Sequence, residues 1–366
     1  MVLGRDNGKT LGSCDSLKAS LLLSPLSGSK PVLILNAADV ESCIDMDEAI
    51  AASREALGLL VQGRAEIPVR QHIGVAEDNP SVSLYMPGFV PDLGVLGLKV
   101  ATLMTSNPGH GLPTTPCVIL LVNPDTGFLD ALMEATWLTN VKTGGSTGVA
   151  TDLLAREDAE VYAVLGAGSI AYHQVEGVLT VRPKIARVLL WNRTRDRAEE
   201  LAASLRSSLP KGVKFEVVDD AAAAVAAADI VTACTSENEP VVLGAWVQPG
   251  THVNLVGAHG ADMREGDDLL LSKAAIAAVD KIEGAQVSGD VALAVVAGIR
   301  SISDFIDIGR VMNGDVSGRQ SSEQITWYKS VGNAAQDLVT AQRVLYAARI
   351  RGLGREVELN PAESAK

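Results

Sequence analysis

The chain has 366 residues, 47% hydrophobic and 20% charged, and a net charge of −13 from 31 basic and 44 acidic side chains. That composition describes a globular protein with enough core for two domains. The acidic balance argues against nucleic acid or an anionic membrane surface as the main partner, because both demand a concentrated positive field.

Residues 1–30 contain Ser, Gly and Lys, and their only apolar patch, Leu21 to Leu23, is too short for a signal-peptide core; they read as a flexible extension. From residue 31 the pattern tightens. A short strand is expected at 32–35 and a helix over 45–61, with Asp45 or Asp47 able to cap its start. Strands follow at 81–85, 96–100 and 117–122, and the run NPDTG at 123–127 makes a turn into a further strand at 128–133. This meander predicts an antiparallel α+β unit.

After Thr139 strands and helices alternate, with strands at 161–165, 187–191, 214–218, 229–234, 252–257 and 276–279, and an alanine-rich helix over 220–228. The alternation predicts a doubly wound parallel sheet, so the fold class is α/β. An amphipathic helix over 333–351 follows and can return to the first unit. The expected division is 1–30 as an extension, 31–138 with 320–352 as one unit, 139–319 as the second, and 353–366 as a flexible tail.

Cys14, Cys43, Cys117 and Cys234 have neither metal-ligand nor C-x-x-C spacing and read as packed free thiols in a reducing compartment. No apolar run approaches the ~18 residues of a membrane span, so a cytoplasmic location is expected. His72, His110, His173 and His252 lack partners at metal-like spacing, and no metal is expected. The pair Asp267 and Asp268 reads as a helix N-terminus, not a catalytic dyad.

The most informative stretch is VYAVLGAGSIA at 161–171. An apolar strand runs into Gly166, Ala167 and Gly168 and then into a helix, with Ala171 as the small third residue of a G-x-G-x-x-A turn. Such a turn offers backbone N–H groups to a pyrophosphate, so a dinucleotide is expected. The next strand ends in Asn192, Arg193 and Thr194, where an acid would take the ribose 2′-hydroxyl of NAD. A neutral amide, a guanidinium and a hydroxyl instead suit a 2′-phosphate, which predicts NADP(H) in preference to NAD(H). Arg195 and Arg197 lie within reach or are solvated helix residues.

Nine blocks in this order resemble the ornithine cyclodeaminase/mu-crystallin family over about 31–352: IPVR at 67–70, GLK at 97–99, LTNVKT at 138–143, AVLGAG at 163–168, WNRT at 191–194, EPV at 239–241, VGAHGADMRE at 256–265, SGDV at 288–291 and KSVG at 329–332. The resemblance is nearest the ketimine-reductase branch. It implies a Rossmann domain inserted into a substrate-binding and dimerisation domain, a homodimer, and hydride transfer between a nicotinamide and an amino- or imino-acid carbon.

By the same resemblance Arg70, Lys99 and Lys142 bind the substrate carboxylate, and Lys99 and His259 are catalytic candidates. Cofactor positions carried over are Thr115, Thr143, Gly166, Ala167, Gly168, Ser169, Ile170, Asn192, Arg193, Thr194, Arg197, Thr235, Val256 and Ser330. Two departures stand out. Lys142 occupies a position where relatives carry Arg, beside Gly144 and Gly145, which are expected to loosen the helix entrance and admit a bulkier ligand. His259 replaces the Asp of cyclodeaminases, and a histidine near its usual pKa can donate a proton to an imine nitrogen or hold water. The expected activity is NAD(P)H-dependent reduction of a small α-imino acid, such as pyrroline- or piperideine-2-carboxylate, to the L-amino acid. The alternatives are an ornithine cyclodeaminase or alanine-type dehydrogenase, and a non-catalytic NADPH-binding protein.

Overall fold

The computed structural model describes residues 31–76, 79–209 and 212–359. The expected extension 1–30, Cys14 within it, and the end of the expected tail lie outside the described residues.

The chain opens with β1 (Val32–Leu35), α1 (Ala37–Cys43) and α2 (Met46–Val61). Of the two candidate caps, Asp45 serves α2: its carboxylate accepts the Glu48 N–H at 2.9 Å. Then come β2 (Gln71–Ala76), β3 (Asn79–Val90), β4 (Val95–Leu103), β5 (Cys117–Val122) and β6 (Leu129–Glu134). The turn between β5 and β6 forms as its residues dictate: the Asn123 side chain accepts from the N–H groups of Asp125 and Thr126, and Gly127 takes a φ of +73°. β2 to β6 pair antiparallel, but β1 lies parallel to β6, so the sheet is mixed.

A long helix, α3 (Thr136–Leu154), leads to the second sheet. Its strands and helices in chain order are β7 (Val161–Leu165), α4 (Ala171–Val181), β8 (Arg187–Trp191), α5 (Arg195–Ser208), β9 (Lys214–Val217), α6 (Ala221–Ala226), β10 (Ile230–Ala233), β11 (His252–Leu255), α7 (Asp268–Lys273), β12 (Ala274–Val279), α8 (Ile282–Ala285), α9 (Gly289–Val296), β13 (Phe305–Asp307), α10 (Ile308–Met312) and β14 (Ile325–Lys329). α11 (Ala334–Arg351) and β15 (Arg355–Val357) close the described chain. The second sheet is parallel throughout, in the order β13-β12-β14-β11-β10-β7-β8-β9. Apolar side chains cover both of its faces, Leu165, Val231, Leu255 and Trp327 on one and Tyr162, Val164, Leu190 and Ile230 on the other. That two-sided burial explains why β7 and β12 are unbroken apolar runs.

Three expectations about organisation are corrected. The boundary at 320 gave 325–329 to the first unit, whereas β14 lies inside the parallel sheet between β12 and β11. Its sequence ITWYK alternates polar and apolar groups, and burial of both faces hides the expected signal. The boundary at 139 cuts α3, whose Leu138, Val141, Val149, Ala150 and Leu154 pack into the first core with Leu57, Ile119, Met133 and Leu338. The tail 353–366 was expected to be flexible, yet β15 adds an antiparallel edge to β1.

Gly144 and Gly145 also read differently in three dimensions. A β-carbon on Gly144 would fall 2.2 Å from the His173 carbonyl oxygen, and one on Gly145 2.7 Å from the backbone of Ala49. α3 therefore lies backbone to backbone against α4 and α2, and these glycines join the two units instead of making room for a ligand. Gly144→Ala is expected to lower the unfolding free energy by about 1–3 kcal/mol, the usual cost of overpacking, as read by urea denaturation.

Candidate functional site

The glycine turn leaves β7 with Gly166 at φ +110°, its N–H bonded to the Trp191 carbonyl at 2.9 Å. A side chain there would be strained and would meet the Cys234 carbonyl at 2.7 Å. Gly168 is the complementary case, with nothing within 4 Å of where its β-carbon would stand. Ile170 gives α4 no side-chain cap, so apart from the Ala171 N–H, which donates to the Gly168 carbonyl, no side chain at the cap occupies the N–H groups of the helix start. These features fit a pyrophosphate. The cleft, about 290 Å³, is lined by the turn and by Asn192, Arg193, Thr194, Arg197, Thr235 and Glu237 among others.

Asn192 has a different task from the one expected. Its Oδ1 accepts the Ala167 N–H at 3.1 Å and its Nδ2 donates to the Thr194 carbonyl at 2.8 Å, so it ties the glycine turn to the end of β8. Arg193 pairs with Glu237 at 2.7 Å. Arg197 lines the same cleft without an ion pair among the described residues.

Behind the cleft, Glu265 acts as a buried knot that the sequence reading passed over. Its Oε1 accepts from the N–H and hydroxyl of Thr235 at 2.7 and 3.1 Å, and its Oε2 from the N–H groups of Gly257 and Ala258 at 2.8 and 3.1 Å. The loops after β10 and β11 are thereby fastened to each other. Asp290 Oδ1 accepts the N–H groups of Glu265 and Gly266, both at 2.9 Å, and Lys329 lies 2.8 Å from Asp290 and 3.6 Å from Glu265. Burial pushes the Glu265 carboxyl up and outweighs the pull of Lys329.

The segment after β14 runs from this knot to a cluster of cations. Asp280 Oδ2 accepts from the Ser330 hydroxyl and from the N–H groups of Val331 and Gly332, which fixes the segment in place. Arg70 donates to the Val331 and Gly332 carbonyls at 3.2 and 3.1 Å. A β-carbon on Gly332 would come 3.1 Å from the Lys142 ammonium. Lys142 and Lys99 converge on one oxygen of Asp337, Oδ1, at 3.1 and 2.9 Å.

Asp337 is fully buried. Burial alone would raise its carboxyl, but Lys142 and Lys99 prevail and hold it below the usual carboxylate range. Lys142 is lowered, by burial first and by the neighbouring Lys99. Lys99, Lys142 and Arg70 face two buried carboxylates, Asp337 and, further off, Asp280, which leaves a net excess of one positive charge when all of them are ionised. An anion's place is therefore prepared here.

His259 is placed beside this cluster but with a pKa below the usual one expected. Burial lowers its pKa, the Gly257 carbonyl opposes that, and Arg70, Lys329 and His72 push further in the same downward direction. Its Nδ1 lies 3.2 Å from the Gly257 carbonyl oxygen, which can only accept. Nδ1 therefore carries the hydrogen and Nε2 a lone pair. With its pKa lowered the ring favours the neutral form, in which Nε2 accepts, so of the two roles expected from the sequence this geometry suits holding water better than donating a proton.

Of the other expected cofactor positions, Thr235 follows β10 and lines the cleft, Val256 follows β11 but is buried in the core of the parallel sheet and does not line the cleft, and Ser169 and Ile170 complete the turn. Ser330 is engaged by Asp280. The Thr143 hydroxyl donates to the Thr139 carbonyl inside α3, and the Thr115 carbonyl accepts from the Cys117 thiol; neither lines the glycine-turn cleft. Asp337 and Asp280 were missed, since a lone acid in a helix or loop carries no signal until its lysines or amides surround it. Among the described residues no group of three or more His, Cys, Asp or Glu could share a metal ion, and no helix is long and apolar enough to cross a membrane. Cys43, Cys117 and Cys234 are buried free thiols. His252 is pulled down to about 3 by burial and sits between Thr326 and Asn254 inside the sheet. Asp267 caps α7 through the Leu270 N–H, as expected for a helix start.

A parallel sheet with an open glycine turn at a helix start, joined to a mixed sheet that carries buried cations, defines a dinucleotide-binding α/β protein of two units. The chain belongs to the ornithine cyclodeaminase/mu-crystallin family, whose model matches residues 31–350. It is 34% identical to an alanine dehydrogenase of Archaeoglobus fulgidus over 327 residues, 89% of this chain and 98% of that protein. Its fold is similar to that of the Thermococcus litoralis Δ1-pyrroline-2-carboxylate reductase in complex with NADH and L-proline, with TM-score 0.85, 35% identity, and coverage of 89% of this chain and 100% of that one. An archaeal alanine dehydrogenase dimer with bound NAD gives TM-score 0.84 at 33% identity, covering 90% and 99%.

The lowered pKa of His259 sets a sign for pH dependence. The ring stays neutral as pH falls through the usual histidine value of 6.5 and gains its proton only below it. Any acid limb that His259 imposes on kcat/KM is expected below pH 6.5, and His259→Asn is expected to remove that limb, as a pH–rate profile of the two proteins would show.

Proposed function

We propose that this protein is an NADPH-preferring reductase that converts a small α-imino acid, a cyclic ketimine such as pyrroline- or piperideine-2-carboxylate, to the L-amino acid. The observation that carries this reading is the surplus of buried positive charge around Asp337, beside Arg70. An α-imino acid presents a carboxylate next to the carbon to be reduced, and three cations in one place match it.

The residues divide the work. Arg70 and Lys99 orient the carboxylate, with Lys142 behind them as the charge that keeps the cluster positive. A carboxylate so held draws electron density from the adjacent C=N bond and makes its carbon a better acceptor. Gly166 to Gly168 and the start of α4 would hold the pyrophosphate of a reduced nicotinamide dinucleotide, which would supply the hydride. As the carbon accepts it, the π pair of C=N moves to nitrogen, which takes a proton from the Lys99 ammonium or from water. His259 Nε2, bearing a lone pair, accepts a hydrogen bond from the nitrogen or from a water beside it. A neutral ring crowded by Arg70 and Lys329 is a poor partner for the second, cationic amine of ornithine, which favours imine reduction over cyclodeamination.

The preference for NADP(H) is supported by the absence of an acid at the end of β8 and by Arg193 and Arg197 at the cleft. A homodimer is supported by an apolar edge: Val69, Ile73 and Val75 are 79%, 54% and 48% exposed on and just before β2, the edge strand of the mixed sheet.

Steady-state oxidation of NADPH and NADH against a panel of cyclic and acyclic imino acids tests the activity. Turnover of a cyclic ketimine with NADPH ahead of NADH is expected. Ammonia release from ornithine or alanine with oxidised cofactor, and no imine reduction, would overturn it in favour of the dehydrogenase or cyclodeaminase reading; NADPH binding without any turnover would favour a binding protein. Lys99→Ala is expected to cut kcat about 100-fold or more while NADPH binding persists, and unchanged turnover would remove Lys99 from the mechanism. Arg193→Ala is expected to raise the KM for NADPH. Light scattering is expected to give twice the 38.2 kDa chain mass.

A further inference from the structure

We propose that Glu237, on the wall of the cofactor cleft opposite the end of β8, is a specificity-determining residue that competes with a ribose 2′-phosphate for the Arg193 guanidinium. The inference rests on the reading that a 2′-phosphate sits against Arg193, and deepens it.

The two residues meet across the mouth of the cleft. Arg193 follows β8, Glu237 follows β10, and Arg193 Nη1 lies 2.7 Å from Glu237 Oε1. The Arg193 side chain is 77% exposed and that of Glu237 36%, so Arg193 is held chiefly by this one carboxylate. Glu237 itself sits on a fixed wall. Its carbonyl accepts the Arg264 N–H at 3.1 Å, and Thr235, two residues earlier, is fastened twice to Glu265. The acid cannot swing away with its loop, whereas the long Arg193 side chain can turn.

Charge decides what each cofactor meets. The cleft lining holds two cations, Arg193 and Arg197, and two acids, Glu237 and Glu239. An NAD(H) ribose brings a neutral 2′-hydroxyl, which can donate to Glu237 while the Arg193 pair stays closed. An NADP(H) ribose brings a dianionic phosphate, which must share Arg193 with Glu237 or draw it away, and in either case lies near that like charge. The acid missing from the end of β8 is thus supplied by the facing loop, and it limits the NADP(H) preference that the two arginines create. Because the pair is exposed, its weight is modest and falls with salt.

The test is direct titration of the full-length protein with NADPH and with NADH, followed by quenching of tryptophan fluorescence, for the wild type, Glu237→Gln and Arg193→Ala. Glu237→Gln is expected to raise the ratio of NADPH to NADH affinity about fivefold at low salt, the upper range for an exposed ion pair, and less at high salt. Arg193→Ala is expected to lower the ratio. An unchanged or lower ratio in Glu237→Gln, with the drop in Arg193→Ala intact, overturns the role of Glu237 alone and leaves the 2′-phosphate reading standing. An unchanged ratio in Arg193→Ala overturns both.

Discussion

One buried carboxylate organises the cluster of cations in this molecule. Asp337 holds Lys99 from the mixed sheet and Lys142 from α3 on a single oxygen, and stands itself in the first turn of α11. Three elements from distant parts of the chain are thereby committed to one point. Burying such charges is costly unless they are paired, and pairing two cations with one anion leaves the account open by one charge. The remaining positive field, with Arg70 beside it, is what makes the place suitable for an anionic ligand and unsuitable for a second cation.

The cofactor side is built on a different principle. Its N–H groups are presented by backbone geometry, and the loops that carry them are tied from behind by Glu265, Asp290 and Lys329. Lys329 ends β14 and leads directly through Ser330 to Gly332 into the wall that Arg70 grips. The two halves of the site therefore share one rigid segment, pinned by Asp280. The glycines of α3 do the same at larger scale, since they allow the helix backbones of the two units to touch. Precision of this kind suits a reaction in which two bound molecules must meet at one carbon.

The strands of the parallel sheet that read as apolar runs between glycines and prolines, β7 and β8 above all, stand where periodicity places them, and the glycine turn opens the helix that its pattern implies. β14 escaped notice because its Thr326, Tyr328 and Lys329 are polar yet buried, the two hydroxyls hydrogen-bonded to Arg319 and Ser146 and the ammonium ion-paired with Asp290. Lys99, Lys142 and Arg70 were brought together by the resemblance, but the buried Asp337 on which the two lysines meet was not visible. His259 was visible too, but the lowering of its pKa was not, because burial and the charges of Arg70, Lys329 and His72 arrive from other elements.

By itself, the order of residues determined the local chemistry: an apolar strand entering a glycine turn, the want of an acid after β8, capped helix starts, and the family to which the blocks belong. Those features depend on neighbours in sequence, where backbone conformation and short-range hydrogen bonding are set. Tertiary structure alone decided that Gly144 and Gly145 serve packing, that Asp337 gathers two lysines, that His259 favours its neutral form, and that Glu237 faces Arg193. Each of those depends on burial and on charges brought together from residues far apart in the chain, and electrostatic energy follows distance in space.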